Sequence, residues 1–209
     1  YCKGNIDLLN SDCLAVVGTR RATNYGKTMC KKIVNEVSTE GITIVSGLAE
    51  GIDTVAHKSC LEVNGKTIAV LGSGLLNIYP ASNDGLFTEI VEKGGLVISE
   101  YKPNEPSVTY HFPVRNRIIA GLSKATFIVE ATEKSGSMHT KNYAIEYNPR
   151  LDQNYVIGGI TLDRITIKVS IDNVVSEFII DYIPGGYNAL ELKDEYEFLK
   201  HNFLTNRPQ

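Results

Sequence analysis

Several features that would point directly to a membrane, metal or redox protein are missing from this chain of 209 residues. No uninterrupted apolar run approaches the roughly 18 residues that a membrane-spanning helix needs, so we expect no membrane association. The cysteines form no CxxC pair and lack metal-ligand spacing, so neither a zinc site nor a disulfide framework is indicated. We therefore expect a cytoplasmic protein whose cysteines are reduced: Cys2, Cys13, Cys30 and Cys60.

The chain also lacks the common nucleotide-binding motifs and catalytic clusters. A GxGxxG pattern starting at Gly72 would place Asn77 at the third glycine, and no GxxxxGK[ST] loop is present. No Ser-His-Asp order, pair of carboxylates or metal cluster stands out. We therefore expect no catalytic residue, no metal and no cofactor.

Acidic residues are absent from one arginine-containing segment, although the whole chain has a net charge of -3. No Asp or Glu occurs from residue 106 through 129, a segment that contains Arg115, Asn116 and Arg117 just before an apolar, helix-like run. Guanidinium groups without nearby carboxylates, placed where a helix begins, suit an anion such as phosphate. The alternative is that these arginines pair with carboxylates distant in sequence or lie in solvent.

Five short, β-branched runs alternate with helical patterns along residues 14–147. This alternation predicts an α/β fold of the extended Rossmann-like, doubly wound type, with a mostly parallel sheet and helices on both faces. Ligands bind to such sheets outside the carboxyl ends of the strands. The predicted strands are 14–17, 42–45, 67–71, 96–99 and 126–129, and the predicted helices are 26–39, 51–63, 83–93, a segment after Arg115, and 137–147.

The pattern changes after residue 150. Residues 1–150 carry 16 Lys/Arg against 15 Asp/Glu, whereas residues 151–209 carry 5 against 9, so the acidity belongs to the tail. Residues 155–183 are rich in Ile, Val and Thr, which predicts a closing strand and then a hairpin or edge strands. We expect a core at 1–150 and, at 151–209, a β-rich acidic extension packed on the same domain, with a turn at 183–186 and a terminal helix at 190–203.

Small residues follow the predicted strands at the edge where a ligand would bind. Glycines let the backbone approach a phosphate and hydroxyls donate to it, although such turns are more often structural. Three further windows without acids, at 13–35, 63–83 and 134–145, cover turns at the same edge, so a positive strip is expected there. The candidate anion-binding residues are Gly18, Thr19, Arg20, Ser46, Gly47, Leu48, Gly51, Gly72, Ser73, Gly74, Ser135, Gly136 and Ser137.

Two aromatic residues, Tyr79 and Phe112, fall beside these turns. A ring at this edge could stack on an unpaired base, with core packing as the alternative. Asp53 and His57 share a predicted helix face and could form an acid-base pair. We favour a structural interpretation, in which Asp53 orients the 47–51 loop and His57 makes a buried polar contact.

The order of these segments resembles the DNA-processing protein A family, called DprA or Smf, from residue 1 to about residue 144. The segments that carry the resemblance are 17–20 with 25–26; 46–53 with 56–57; 69–75 with 79–80 and 83; 99–101 with 103 and 112–123; and 130–131 with 135–137 and 140. The resemblance implies a bacterial protein with a Rossmann-like core that binds single-stranded DNA without catalysis and helps to load the RecA recombinase during natural transformation.

The resemblance also implies roles for particular residues. Arg20 and Arg115 would hold phosphates, supported by Arg117. The anion pocket would be formed by Ser46, Gly47, Gly72, Ser135, Gly136 and Ser137, with Thr140 and Lys141 beside it. The chain departs from the family pattern after residue 150, where the family's dimer and RecA surfaces are associated, so a homodimer and a RecA contact are both open expectations.

A second hypothesis from a different class is a sensor or enzyme of small nucleotides. Related Rossmann proteins that cleave nucleotide N-glycosidic bonds use the same kind of pocket. Glu100 and Glu130, each at a predicted strand end, would then be the candidate acids.

Overall fold

The fold is an α/β sheet with helices packed on both faces, seen in a computed structural model that describes residues 1–131, 136–146, 155–160, 164–171 and 174–181. The strands are β1 Cys2–Gly4, β2 Cys13–Gly18, β3 Thr43–Ser46, β4 Thr67–Val70, β5 Leu96–Ile98, β6 Ala125–Val129, β7 Tyr155–Ile160, β8 Arg164–Ile171 and β9 Val174–Asp181. The helices are α1 Asn24–Thr39, α2 Ile52–Glu62, α3 Asp84–Glu92, α4 His111–Leu122 and α5 Ser137–Glu146.

The strands form one sheet in the order β1-β5-β4-β3-β2-β6-β7-β8-β9. All pairs from β5 through β7 are parallel, and β2 lies between β3 and β6, so the chain winds outward from β2 in both directions. This confirms the predicted doubly wound fold. The closing strand and the hairpin are also confirmed, because β7 pairs parallel with β6 and β8 and β9 follow antiparallel. The predicted turn at 183–186 and the helix at 190–203 lie outside the described residues.

The core lies on both sides of the central strands. Val16 and Ile44 face one layer with α1 and α2, while Val17 and Val45 face the other with Ile119 of α4. Successive side chains of a strand point to opposite faces of the sheet, and both faces are buried here. This is why each strand is a continuous apolar run in the sequence. Each fully buried Val or Ile contributes about 1.5–3 kcal/mol, so the strand ends and their loops are firmly positioned.

Helix α4 begins earlier than its sequence indicated. We expected the helix to follow the arginines, but it starts at His111 and contains Arg115 in its second turn. Pro113 falls in the first turn, where a backbone N–H has no helical partner, so the proline does not interrupt the helix. Arg115 therefore lies on the helix face that also buries Ile119, one turn later.

Within the described residues, no helix has both the length and the apolar character to cross a bilayer.

Candidate functional site

A cleft lies over the carboxyl ends of β2, β3 and β4. The cleft is open to solvent, and the space between its walls, including the open side, is about 290 Å³. Three strand-end loops and the first turn of α4 form its walls. It therefore lies at the edge of the sheet where we expected a ligand to bind. The lining residues are Arg20, Gly47, Ala49, Glu50, Tyr79, Pro80 and Phe112.

An arginine and two aromatic rings form one wall of this cleft. The Arg20 guanidinium carbon lies 5.6 Å from the centroid of the Phe112 ring, and the Phe112 and Tyr79 centroids are 5.4 Å apart at an interplanar angle of 44°. Arg20 is exposed and Tyr79 is 49% exposed. Among the described residues Arg20 forms no ion pair. Its cation is therefore available to an anion beside surfaces on which a base can stack.

The loop that follows β3 is held from below by Asp53. Oδ2 of this buried carboxylate accepts hydrogen bonds from the amides of Gly47 at 3.1 Å and Ala49 at 3.4 Å. Burial raises the pKa of Asp53, and the positive charge of Arg115 and the two amides partly oppose that effect. This is the orienting role that the sequence favoured for Asp53 over acid-base chemistry.

Gly51 fixes the end of the same loop. Its φ is +79°, and a Cβ here would collide with the backbone carbonyls of Thr19 and Arg20. Only glycine suits both constraints. The loop after β3 is thus packed against the loop after β2, which carries Arg20. Leu48, in contrast, is fully buried and belongs to the core rather than to the ligand surface.

Arg115 lies beneath this loop rather than on the surface. It is 3% exposed, and its Nη1 donates to the carbonyl oxygens of Gly47, at 2.6 Å, and of Val70. Burial lowers its pKa to about 10, an effect that the Asp53 carboxylate opposes. We expected Arg115 to hold a phosphate, and its burial does not favour a direct contact: its helix begins four residues earlier and turns the side chain into the core.

The neighbours of Arg115 make different contacts. Arg117 forms an ion pair with Glu100, and both side chains are more than one-third exposed. The carboxylate partner distant in sequence, which we kept as an alternative for this arginine, is therefore present. Asn116 accepts from Nε of Arg115 at 3.1 Å and donates to the carbonyl of Gly136 at 3.2 Å, which links α4 to the start of α5.

The third candidate turn, Gly72 to Gly74, is covered by protein. A Cβ on Gly74 would meet the carbonyls of Lys102 and Pro103, and its amide donates to the Glu105 carbonyl at 2.9 Å. Ser73 is buried as well. Ser46 is likewise buried, and its hydroxyl donates to the Val16 carbonyl at 2.7 Å. These residues shape the edge of the sheet, which corrects their expected place on an open anion pocket.

Five of the remaining predicted contacts lie outside the lining of the cleft: Gly18, Thr19, Gly136, Ser137 and Thr140. Gly18 packs against Val129 and Ile52. Thr19 accepts a hydrogen bond from the Arg21 amide at 3.2 Å. Ser137 and Thr140 are buried on α5, which also carries Lys141, whereas Gly136 is exposed. Ser135 lies outside the described residues.

Both candidate acids are engaged in other contacts. Glu130 is buried, and its Oε2 accepts from the Thr23 amide at 2.7 Å while Oε1 accepts from the Thr23 hydroxyl. Glu100 pairs with Arg117. In the described part of the chain, no group of His, Cys, Asp and Glu could hold a metal ion. This arrangement does not favour hydrolysis of a nucleotide.

Two histidines have structural contacts. His57 lies 2.7 Å from the hydroxyl of Thr67, which itself donates to the Ile44 carbonyl, so Nδ1 of His57 is the donor. Burial, followed by the charge of Arg115, lowers the pKa of His57 to about 3. This agrees with the buried polar contact favoured from the sequence.

His111 was missed. Its Nδ1 donates to the Gly72 carbonyl at 3.2 Å, and its ring stacks on Tyr101 at 3.8 Å. It thereby anchors the first turn of α4, which carries Phe112. A histidine in a loop-like stretch gave no periodic signal of burial.

The chain is similar to known proteins in sequence and in structure. The family model for DNA recombination-mediator protein A matches residues 1–153. Protein Smf of Escherichia coli is 46% identical over 146 residues, which cover 70% of this chain and 39% of that protein. DNA processing protein DprA of Streptococcus pneumoniae is 45% identical over 146 residues, 70% of this chain and 51% of that one. The chain thus spans about two-fifths to one-half of these relatives.

Solved structures show the same relationship. DprA from Streptococcus pneumoniae superposes with a TM-score of 0.65 at 46% identity, covering 69% of this chain and 50% of that one. DNA processing protein A from Helicobacter pylori, described with a single-stranded DNA binding mode, gives a TM-score of 0.67 at 34% identity, covering 75% and 70%. The chain belongs to the DNA recombination-mediator protein A family.

Proposed function

We propose that this chain is a DprA-type binder of single-stranded DNA that holds the backbone at Arg20 and stacks bases beside Tyr79 and Phe112. The observation that carries the proposal is the exposed Arg20 cation, unpaired within the described residues, lying over an aromatic ring in a cleft at the strand ends. A phosphate needs the cation and an unpaired base needs the ring. The chain acts by binding, without catalysis.

The buried contacts support this proposal by fixing the cleft in advance. Asp53 holds the 47–51 loop, Arg115 ties that loop to the end of β4, and His111 anchors the turn that carries Phe112. Groups fixed before binding lose less conformational entropy when a ligand arrives. In this proposal, Arg115 positions the loop, and Arg20 makes the direct contact with phosphate.

Family membership supports a further proposal about the cellular role and the partners of the chain. We propose that the chain works in the cytoplasm and passes DNA to a RecA-type recombinase during natural transformation, with a homodimer as the assembled form. Sedimentation of the purified chain and a recombinase-loading reaction on single-stranded DNA test these two extensions. A monomer at all concentrations, or unchanged loading, would remove the corresponding extension.

Fluorescence anisotropy with labelled oligo-dT tests the proposal itself. Arg20→Ala should weaken binding about fivefold or more and reduce the slope of log affinity against log salt by about 0.7, because one phosphate contact is lost. Arg21→Ala is the matched control: it removes the same charge from an exposed neighbour that does not line the cleft. Equal effects of the two substitutions would show that only bulk charge matters, and absence of binding at low salt would refute the proposal.

A mononucleotide competitor separates a polymer site from a nucleotide sensor. Because the proposed site uses backbone and base contacts from several nucleotides, a nucleoside monophosphate should displace oligo-dT poorly. Displacement at equal concentration, or release of free base during a long incubation, would instead favour the small-nucleotide hypothesis.

A further inference from the structure

Glu50 is a carboxylate in a cleft whose other lining residues are cationic, aromatic or small. It lies with Arg20 and Tyr79 along the same unoccupied space and is exposed. Within the described residues it takes part in none of the ion pairs, and Arg20 remains unpaired as well. The cleft therefore places one carboxylate, that of Glu50, beside its cation.

The loop presents this carboxylate in a defined place. Asp53 accepts from the amides of Gly47 and Ala49 on one side of Glu50, and Gly51 packs against the carbonyls of Thr19 and Arg20 on the other. The backbone of Glu50 is thus held between two fixed points. A charged side chain on such a loop has a restricted reach into the cleft.

A carboxylate at this position disfavours a phosphate beside it, because like charges repel. The groups it attracts are N–H donors. Unpaired bases expose their Watson–Crick edges, which single-strand-binding proteins read by hydrogen bonds while stacking the base on an aromatic ring.

We propose that Glu50 reads the edge of one base in bound single-stranded DNA and gives this cleft a preference for guanine. The inference rests on the proposed function. Guanine places two donors, N1–H and the N2 amino group, side by side, and these match the two oxygens of a carboxylate. Cytosine and adenine offer one amino group beside an unprotonated ring nitrogen, and thymine offers one N–H between two carbonyl oxygens.

The test uses oligo-dT of about 12 nucleotides, within the site size of single-strand binders, with or without one central guanine. Wild-type protein should bind the guanine-containing strand about fivefold more tightly, the lower end of the discrimination expected of a bidentate base contact. A third strand, with hypoxanthine in place of the guanine, lacks the N2 amino group and should show only part of that preference. Anisotropy titrations at fixed salt measure all three strands.

Two variants assign the preference to the carboxylate. Glu50→Ala should bind all three strands equally and should bind plain oligo-dT more tightly than wild type, because the repulsion is gone. Glu50→Gln keeps one acceptor and should keep part of the preference. Glu92→Ala, which removes an exposed carboxylate from α3, is the matched charge control and should leave the preference unchanged.

The outcomes separate this inference from the function on which it rests. Wild-type protein that binds oligo-dT but shows no guanine preference overturns the role of Glu50 and leaves single-stranded DNA binding intact. A guanine preference that persists in Glu50→Ala, or a preference for another base, also overturns it. Failure to bind any strand overturns both.

Discussion

Replacing Arg115 with alanine should destabilise the folded protein rather than simply remove a DNA contact. The side chain is 3% exposed and donates to the carbonyls of Gly47 and Val70. It also provides positive charge near the buried Asp53 carboxylate. The substitution therefore leaves two buried carbonyls without this donor and removes the positive charge near one buried acid.

The magnitude follows from these losses. Each unsatisfied buried carbonyl costs about 1–3 kcal/mol, and breaking a buried charge interaction costs about 3–5 kcal/mol. Because the losses overlap, we expect the free energy of unfolding to fall by about 3–5 kcal/mol. Domains are stable by about 5–15 kcal/mol in total, and at this size each kcal/mol lowers Tm by about 2–4 °C. A decrease in Tm of about 10 °C is therefore expected.

Urea unfolding followed by circular dichroism, with linear extrapolation to water, measures the effect. Arg117→Ala is the control on the same helix: its exposed pair with Glu100 should contribute about 0–1 kcal/mol. If Arg115→Ala lost less than about 1 kcal/mol while DNA affinity collapsed in the folded protein, Arg115 would be a direct ligand and the structural role assigned to it would be wrong.

Two further predictions concern charges near the site. Glu100→Gln should release Arg117 and strengthen oligo-dT binding about twofold or more at low salt, a gain that should disappear in the Glu100→Gln, Arg117→Ala double variant; an unchanged anisotropy titration would mean that Arg117 does not reach the DNA. His57 has a folded pKa of about 3 against an ordinary value of 6.5, so the unfolded chain binds more protons between these values and stability falls as pH is lowered through them. This group should cost about 2 kcal/mol between pH 7 and pH 5. Urea titrations should show that the free energy of unfolding falls less steeply between pH 7 and pH 5 in His57→Gln than in the wild type. Asp53, whose pKa is raised, acts in the opposite direction, but equally in both proteins. Equal pH dependence in the two proteins would contradict the role assigned to His57.

The central fold was predictable because buried parallel strands leave a strong signal. Their residues are apolar on both faces, so each run is continuous, and the helices between them show separate periodicity. Strand β1 left no such signal: all three of its residues are exposed, and it is held by backbone pairing to β5. Only the tertiary structure brings that partner edge to the N-terminal residues.

The position of the cleft, the candidate site, was predictable to the level of the loops, but not of the side chains. The rule that ligands bind at the carboxyl edge brought Arg20, Gly47, Tyr79 and Phe112 together correctly. The burial of Arg115 could not be predicted from the sequence, which indicated a phosphate, a carboxylate distant in sequence or solvent as its surroundings. Backbone carbonyls, which leave no mark in the sequence, are its partners instead.

The position of Glu130 supports the proposal that the ligand is a strand rather than a free nucleotide. In doubly wound sheets, the crevice beside the first strand and the following helix N-terminus commonly receive a phosphate. Here the Glu130 carboxylate occupies that position, bonded to Thr23 at the start of α1 and packed against Gly26. The protein carries its own internal anion where a mononucleotide would insert. In the proposed function, the DNA therefore binds at the outer rim, where it contacts the protein along one side and can continue in both directions.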